Sequence, residues 1–304
     1  MSASVQDFVA ALRLDRSRRR WRLFALILFV LLVISLAGTA EYKTALPKSY
    51  IAQIEITGMM THSPYAEGVI DSISKDKKAK ALMVFVDSPG GTMVGGMKLF
   101  EALRRVSDSG KPVTVYMGTV AASAGYLASL AGDYVVANEA TLTGSVGVLM
   151  PLVDVTELTD KIGIKSDEIT SGALKAITSP TYKRSESDRA HLQEVVNKLM
   201  TIFLEKVQSR RPDMTEDDIA TIRDGRVIIG AEALKLHMVD AIGGRPEVRK
   251  WLETEHKISQ DIPVITFELE EKSSLMNEIL EGQSLLPKHL KALFYGGALA
   301  IHKP

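Results

Sequence analysis

The sequence predicts an α/β protein whose main domain is built on a largely parallel sheet with helical crossovers. From residue 49 onward, strand-like and helix-like segments alternate along the chain. One strand-like segment, residues 81–86, is apolar without interruption, which is typical of a parallel strand covered on both faces. With 304 residues, of which 46% are hydrophobic, the chain can bury one substantial core. We therefore expect one main domain with shorter appendages.

The elements follow from the spacing of apolar residues. A two-residue period predicts strands, and apolar residues recurring every three or four positions predict helices. In chain order these patterns predict a strand at 50–56, a helix at 65–74, a strand at 81–86, a helix at 95–107, a strand at 112–117, a short helix ending near 130, a strand at 133–137 and a long helix at 185–211. The charged residues of the long helix are interpreted as a solvated face.

The first 48 residues differ in character from the rest. Residues 1–22 form a basic leader that carries six arginines between positions 13 and 22, and residues 23–40 are nearly all apolar. This pattern predicts a transmembrane anchor with a cytoplasmic N-terminus, followed by a linker at 41–48 and a main domain outside the inner membrane. A cleaved signal peptide is the competing interpretation, because the apolar run ends in the small residues Gly38, Thr39 and Ala40.

Composition disfavours several functional classes. The formal net charge is zero, which argues against a nucleic-acid partner. The chain has no cysteine, so thiol catalysis, disulfides and cysteine-ligated metals are excluded. Its six histidines form no HExxH or comparable metal spacing, which disfavours a metallopeptidase. No feature of the sequence calls for a cofactor.

The segment most suggestive of chemistry surrounds Ser123. This serine follows a predicted strand, precedes a run of small residues with helical character, and is flanked by Ala122, Ala124 and Gly125. Such neighbours allow another backbone to approach closely, and the first N–H groups of a helix are free to face a developing negative charge. Ser123 is therefore a candidate nucleophile, although an ordinary helix N-cap would fit the same residues.

A second segment of interest is Asp87-Ser-Pro-Gly-Gly91, which follows the apolar strand. Glycines at the end of a strand present backbone N–H groups with no side chain in front of them. Gly90 is therefore a candidate donor for an oxyanion, while a plain turn is the alternative.

Two further segments carry hydroxyl groups and a lone cation. Residues 143–147 (TGSVG) form a glycine-rich turn that contains Ser145, and residues 170–175 end in Lys175, which Ala176 and Ile177 follow with no acidic residue nearby. Burial without a carboxylate partner lowers the pKa of a lysine, as a general base near neutral pH requires. In isolation, an exposed loop lysine is the simpler interpretation.

Together, these four segments resemble the S49 family of peptidases over roughly residues 49–244. The segments DSPGG, AASAGY, TGSVG and SGALKAITSP occur in the family's order. The resemblance implies a superhelix of β-β-α units like that of Clp protease and crotonase, spanning residues 49–268 and preceded here by one N-terminal transmembrane helix.

The resemblance also implies a role for each candidate residue. Ser123 would be the nucleophile, Lys175 the general base, and Ser145 a hydrogen-bond partner that orients the lysine amine. The backbone N–H groups of Gly90 and Ala124 would form the oxyanion hole. Ala124 replaces the first glycine of the family's usual Ser-Gly-Gly, but an alanine keeps the backbone donor.

The resemblance further implies substrates and an assembly. The substrates would be cleaved signal peptides and other apolar peptides at the extracytoplasmic face of the inner membrane. Because the chain holds one copy of a unit that a longer family form contains twice, a homo-oligomer with active sites shared between protomers is expected. The tail at 269–304 is predicted to be a helical and apolar extension, packing on a neighbouring subunit or reaching the membrane or a substrate groove.

Three alternatives fit the sequence less well than this hypothesis. A Ser-His-Asp peptidase of the Clp type would need a histidine soon after the serine, and none lies between Ser123 and Lys175. An acyl-CoA enzyme of the crotonase fold would use the glycine turn without a nucleophile. A non-catalytic scaffold that binds peptides at the membrane would be expected to have lost the serine or the lysine.

Overall fold

The computed structural model describes residues 21–22, 24–30 and 47–270. The chain divides into two compact units, residues 1–46 and 47–304. Residues 24–30 are helical and exposed. Within the described ranges, no helix is both long enough and apolar enough to cross a membrane. Most of the predicted anchor at 23–40, nearly all of the leader and linker, and the tail from 271 to 304 lie outside the described residues.

The second unit contains eight strands and eight helices among its described residues, numbered here in chain order. The strands are β1 (Tyr50–Met60), β2 (Ala79–Gly91), β3 (Val113–Ala122), β4 (Tyr134–Ala137), β5 (Leu142–Gly144), β6 (Val227–Ile229), β7 (Ala241–Ile242) and β8 (Val264–Phe267). The helices are α1 (Pro64–Lys75), α2 (Met93–Asp108), α3 (Ala124–Ser129), α4 (Thr156–Lys161), α5 (Glu186–Arg210), α6 (Glu216–Ile222), α7 (Gly230–Lys235) and α8 (Arg245–His256).

The strands form one sheet in the order β6-β5-β3-β2-β1-β8. Strand β3 is central, because its first half pairs with β4 and its second half with β5 on the same edge. Strand β7 extends the sheet from β4. Every pairing is parallel except β5 with β6. The predicted mixed α/β architecture with a mainly parallel sheet is confirmed.

Helix starts are fixed by side-chain caps that periodicity alone does not locate. Helix α2 begins two residues before the predicted position, because the Thr92 hydroxyl accepts a hydrogen bond of 3.0 Å from the Gly95 N–H. Helix α5 begins after a capping box in which Ser185 and Asp188 each accept from the other's backbone N–H.

Strand β2 is longer than predicted and includes the whole Asp87–Gly91 segment. Gly90 and Gly91 pair with Met59 and Met60 of β1, after a register shift that follows Thr57. The interpretation of this segment as a free turn is therefore wrong. An alanine Cβ at Gly91 would lie 2.0 Å from the Met60 carbonyl oxygen, so glycine is what allows the two backbones to pair this closely.

The sheet has an apolar layer on each face. The larger layer packs β1–β3 against α1, α2, α3 and α5, and includes the fully buried Tyr126, Leu103 and Phe203. The smaller layer packs the opposite face of β1, β2 and β3 against α8, through residues such as Met83 and Leu252. The two layers explain the uninterrupted apolar run of β2, since successive side chains of a strand point to opposite faces.

The sequence suggested that the charged residues of the long helix form a solvated face, but the two arginines at the end of α5 do not belong to one. Arg210 donates to the carbonyl oxygens of Leu130 and Gly132 at 2.9 and 3.0 Å. The Arg211 side chain is 8% exposed and donates to Asp240 at 2.7 Å. The chain turns at this point and carries both guanidinium groups back onto the core.

Candidate active site

Ser123 and Ser145 directly follow two neighbouring strands. Residues Ala122 of β3 and Gly144 of β5 are paired in the sheet, and the Ser123 N–H donates to the Gly144 carbonyl at 2.9 Å. The Ser145 N–H donates to the Arg226 carbonyl at 2.8 Å. The carboxyl ends of parallel strands meet at one edge, so both hydroxyl groups are presented on the same side of the sheet. The predicted position of Ser123 between a strand and a helix is confirmed.

Both serines adopt a backbone conformation that non-glycine residues rarely adopt. Ser123 has φ 53° and Ser145 has φ 50°. Positive φ in a residue with a Cβ is strained, and such strain is concentrated at functional sites. The Ser123 side chain does not cap α3, so its hydroxyl is not used as an ordinary helix N-cap.

Gly90 lies against Ser123 and Ala124. A Cβ added to Gly90 would lie 2.8 Å from the Ser123 Cβ and 3.2 Å from the Ala124 backbone nitrogen. The backbone of Gly90, at φ +117°, is in a region that favours glycine. The structure therefore brings Gly90, Ser123 and Ala124 together, although the first belongs to β2 and the other two follow β3.

The Gly90 N–H already has an acceptor, which sequence reasoning did not foresee. It donates to the Ser88 hydroxyl oxygen at 3.1 Å, and Ser88 donates in turn to the Gly58 carbonyl at 2.6 Å. Ser88 is fully buried. This hydroxyl ties the end of β2 to the irregular part of β1, so it helps to set the orientation of the Gly90 peptide. Its place inside the DSPGG segment was the only signal in the sequence.

Small residues behind Ser123 allow close backbone packing. A Cβ at Gly125 would lie 2.9 Å from the Ser88 carbonyl oxygen, and one at Gly96 would lie 3.0 Å from the Ala124 Cβ. The expectation from the sequence that another backbone approaches here is confirmed. Helices α2 and α3 can therefore sit tightly behind the strand ends.

A cavity of about 830 Å³ opens in front of these residues, and Ser123, Ala124 and Ser145 all line it. Its other walls are mostly apolar and come from β1, α2, the segment after β5, and α5. The apolar members are Met59, Met93, Val148, Leu149, Val196, Leu199, Met200 and Phe203. This arrangement places the hydroxyl-bearing residues Ser123 and Ser145 in the wall of a largely apolar cavity.

One charged pair lies at the border of the cavity. Asp224, which lines the cavity, accepts hydrogen bonds from the Arg226 guanidinium at 2.6 to 3.0 Å. Those hydrogen bonds lower the pKa of the Asp224 carboxyl to about 2. Asp224 is therefore ionised throughout the physiological range, and its charge is matched by a neighbouring cation.

Lys175 is not brought to Ser123 within the chain. It lies in a turn segment, its side chain is exposed, and it does not line the cavity. Within the described ranges its amine makes neither a hydrogen bond nor an ion pair, although its backbone N–H donates to the Gly172 carbonyl at 3.0 Å. Ala176 and Ile177 are buried, whereas the Lys175 side chain that precedes them is exposed. One chain therefore does not supply the desolvation that the sequence argument attributes to Lys175.

Other candidate sites are less developed. A second cavity of about 770 Å³ lies between β1, α1 and the end of β8, and it contains none of the residues predicted to act. Among residues 21–22, 24–30 and 47–270, no group of three or more His, Asp or Glu residues is arranged to hold a metal ion.

The comparison with protein families agrees with the geometry around Ser123. Residues 105–259 match the model of Peptidase family S49. This match spans Ser123, Ser145 and Lys175. The chain belongs to peptidase family S49.

Relatives of this S49 chain are similar over most of its length. It is 30% identical to the "Putative protease slr0021" of Synechocystis sp. over 81% of this chain and 87% of that protein. It is 30% identical to the "Putative signal peptide peptidase SppA" of Enterococcus faecium over 71% of this chain and 63% of that protein. A solved structure of a mutant 1510-N membrane-bound stomatin-specific protease overlaps with a TM-score of 0.45 and 16% identity, covering 73% of this chain and 99% of that one.

Membership of the S49 family decides between the functional classes left open by the sequence. The chain is a serine peptidase. The acyl-CoA enzyme and the non-catalytic scaffold are thereby set aside.

Proposed function

We propose that the chain is a Ser/Lys endopeptidase in which Ser123 attacks the substrate and Lys175 is the general base. The observation that carries the proposal is that Ser123 and Ser145 line one largely apolar cavity while the Gly90 backbone lies against Ser123. A strained, uncapped serine with a glycine backbone against it has the surroundings of a nucleophile.

The reaction is an acyl transfer in two halves. Neutral Lys175, oriented by the Ser145 hydroxyl, accepts the Ser123 proton as the serine oxygen bonds to the peptide carbonyl carbon. The negative charge on the carbonyl oxygen is stabilised by the N–H groups of Gly90 and Ala124. The protonated lysine then gives its proton to the leaving amine as the C–N bond breaks. Water, deprotonated by the same lysine, releases the acyl group and restores Ser123.

The Gly90 donor must be shared with the substrate. Its N–H is bonded to Ser88 in the unliganded chain, whereas Ala124 is the first residue of α3 and its N–H has no intrahelical acceptor. We infer that Ala124 offers the readily available donor and that the Gly90 N–H turns partly from Ser88 toward the oxyanion.

The substrates are apolar peptides, in keeping with the cavity walls. Eight of the lining residues are aliphatic, methionine or phenylalanine, and their burial by a substrate side chain is worth roughly 1.5–3 kcal/mol per large apolar group. Cleaved signal peptides are the source we propose, because they are rich in such residues. An extended peptide would bind by adding a strand beside the site.

The site is completed by a second copy of the chain. Lys175 is exposed, and the segment that precedes it carries an unusual number of solvent-exposed apolar side chains. These are Leu149, Val153, Leu158, Ile162, Ile164, Ile169 and Leu174. Their burial against a neighbouring copy would bring Lys175 of one protomer to Ser123 of the next and would remove water from the amine. The assembly is therefore a homo-oligomer with shared active sites.

The assembly is held at the inner membrane by the apolar segment at 23–40, with the leader in the cytoplasm and the peptidase outside. The arginine-rich residues before the apolar run support this orientation. Proteolysis of spheroplasts tests it: we expect residues 47–270 to be digested without lysis of the cell. Protection until lysis would reverse the orientation.

The catalytic proposal is tested with the full chain in detergent, assayed on a fluorogenic apolar peptide. Ser123→Ala and Lys175→Ala are each expected to lose at least about a thousandfold in kcat, because each removes a group that acts at the bond-making step. Co-assembly of the two inactive chains should restore activity, since some interfaces then contain an intact serine and an intact lysine.

The outcomes separate the parts of the proposal. Inactive single variants with an inactive mixture would keep the dyad and reject the shared site. An active Lys175→Ala variant would reject Lys175 as the base. An apolar peptide and a matched peptide with acidic residues should differ in kcat/KM, and equal values would reject the proposed substrate class.

A further inference from the structure

Arg184 is a buried arginine bonded to main-chain carbonyl groups. Its side chain is 1% exposed. Its guanidinium donates to the carbonyl oxygens of Ile177 at 2.8 Å, Ser179 at 2.8 Å and Val153 at 3.0 Å. The nearest carboxylate that it pairs with, Asp154, is at 3.8 Å and is itself 42% exposed. An arginine is rarely buried unless its N–H groups have close partners. Here the three carbonyl groups are those partners, so they hold the Arg184 guanidinium in place.

The three carbonyl groups come from both ends of one excursion of the chain. Val153 lies where the chain leaves the cavity wall, and Ile177 and Ser179 lie where it returns, two and four residues after Lys175. The Val155 N–H donates to the Pro180 carbonyl at 2.9 Å and closes the same base. Arg184 therefore fastens the two ends of the excursion together, immediately beside Lys175.

The excursion needs such a fastening because it has little structure of its own. Apart from the short helix α4, residues 154–179 contain no helix or strand, and most of their side chains are exposed. The planar guanidinium has five N–H donors in a rigid fork and can hold several acceptors in fixed directions at once. A lysine ammonium group at the same place is compact, so it would not reach all three carbonyl groups at once.

We propose that Arg184 is a positioning residue for the reaction, acting through Lys175. It holds the turn that presents the lysine amine to the serine of the neighbouring copy. This inference rests on the proposed Ser/Lys mechanism. The sheet and its two apolar layers are formed by other segments, so the effect of Arg184 falls on the lysine turn and not on the folded core.

The test uses the full chain with Arg184→Ala, and with Arg210→Ala as the matched control. Arg210 also donates to two main-chain carbonyl groups, but it does so at the far end of α5 and away from Lys175. Arg184→Ala is expected to lower kcat about 10–100-fold with KM within about twofold, because misplacement of a catalytic group by about 1 Å has this effect. Arg210→Ala should keep its kcat, and Arg184→Lys should recover only part of the loss.

Mixed assemblies show whether the loss of kcat in Arg184→Ala arises from the chain that supplies the lysine or from the chain that supplies the serine. Arg184→Ala mixed with Ser123→Ala should recover activity, because the second chain supplies a well-held lysine and the first supplies the serine. Arg184→Ala mixed with Lys175→Ala should show no gain over Arg184→Ala, because neither chain then presents the lysine correctly. Recovery in the second mixture, or a wild-type kcat for Arg184→Ala, would overturn the inference.

The mixture of Ser123→Ala with Lys175→Ala serves as the reference for shared sites. If that reference mixture is inactive, the shared site fails and the kcat and KM of Arg184→Ala decide alone. A loss confined to kcat would then keep Arg184 as a positioning residue within one chain, and an equal loss for Arg210→Ala would reject it. If Arg184→Ala does not fold, Arg184→Lys carries the same set of comparisons.

Discussion

Replacement of Gly90 by alanine tests how closely the end of β2 must approach the serine. The new Cβ would lie 2.8 Å from the Ser123 Cβ and 3.1 Å from the Ala122 carbonyl oxygen. Carbon atoms prefer a separation of about 3.5–4.0 Å, so the two backbones must move apart by roughly 0.7 Å or more. Alanine keeps the backbone N–H, so the substitution changes the position of the proposed oxyanion donor and not its chemistry.

The expected magnitudes follow from two separate effects. An alanine at φ +117° costs about 1–3 kcal/mol for its backbone conformation, and overpacking costs about 1–3 kcal/mol more, giving roughly 2–6 kcal/mol in the free energy of unfolding. A shift approaching 1 Å at a catalytic donor lowers kcat about 10–100-fold. Gly110→Ala is the matched control, because Gly110 has φ +87° and no atom within 4 Å of its added Cβ.

Thermal unfolding at one protein concentration and steady-state kinetics on the apolar peptide measure both effects. Gly110→Ala should lose about 1–3 kcal/mol and keep its kcat, since it shares only the cost of positive φ. At roughly 2–4 °C per kcal/mol, Gly90→Ala should melt several degrees below this control. Equal kcat values for the two variants would refute the argument that the Gly90 backbone must touch the serine.

Three further predictions concern stability and charge. Ser88→Ala should destabilise the protein by about 2–4 kcal/mol, because it leaves the buried Gly90 N–H without its acceptor. Ser129→Ala removes a single hydroxyl hydrogen bond within α3 and should cost only about 1 kcal/mol. Denaturant unfolding measures both losses, and equal losses would contradict the reasoning. Gly68→Ala, in an open position inside α1, should stabilise the chain by about 0.5–1 kcal/mol, and a lower melting temperature would show that the position is not open. The Asp224 carboxyl should titrate near pH 2 when followed by carbon NMR. The stability that it contributes is therefore present above its ordinary pKa near 3.9 and is lost as the pH falls toward 2. Arg226→Gln should return the titration midpoint toward the ordinary value, and an unchanged midpoint would assign the pKa shift to another group.

Local pattern was sufficient for the class of fold and for most of the elements. The apolar run of β2 predicted a strand covered on both faces, because side chains of a buried strand meet apolar layers on either side. The small residues around Ser123 predicted a close backbone approach, since steric space is a property of the residues themselves. The boundaries were less accurate, because the Thr92 cap and the pairing of Gly90 and Gly91 with β1 depend on neighbouring segments.

The sequence by itself determined which residue types were available for chemistry, and its resemblance to the S49 family grouped Ser123, Ser145, Gly90 and Lys175. Only the tertiary structure decided which of them meet. Parallel pairing of β3 with β5 brings the two serines together, whereas the excursion whose two ends Arg184 joins leaves the lysine exposed. The occupation of the Gly90 N–H by Ser88 was equally beyond the sequence. Hydrogen bonds and solvent exposure depend on what distant segments place nearby, and a linear pattern carries no such distances.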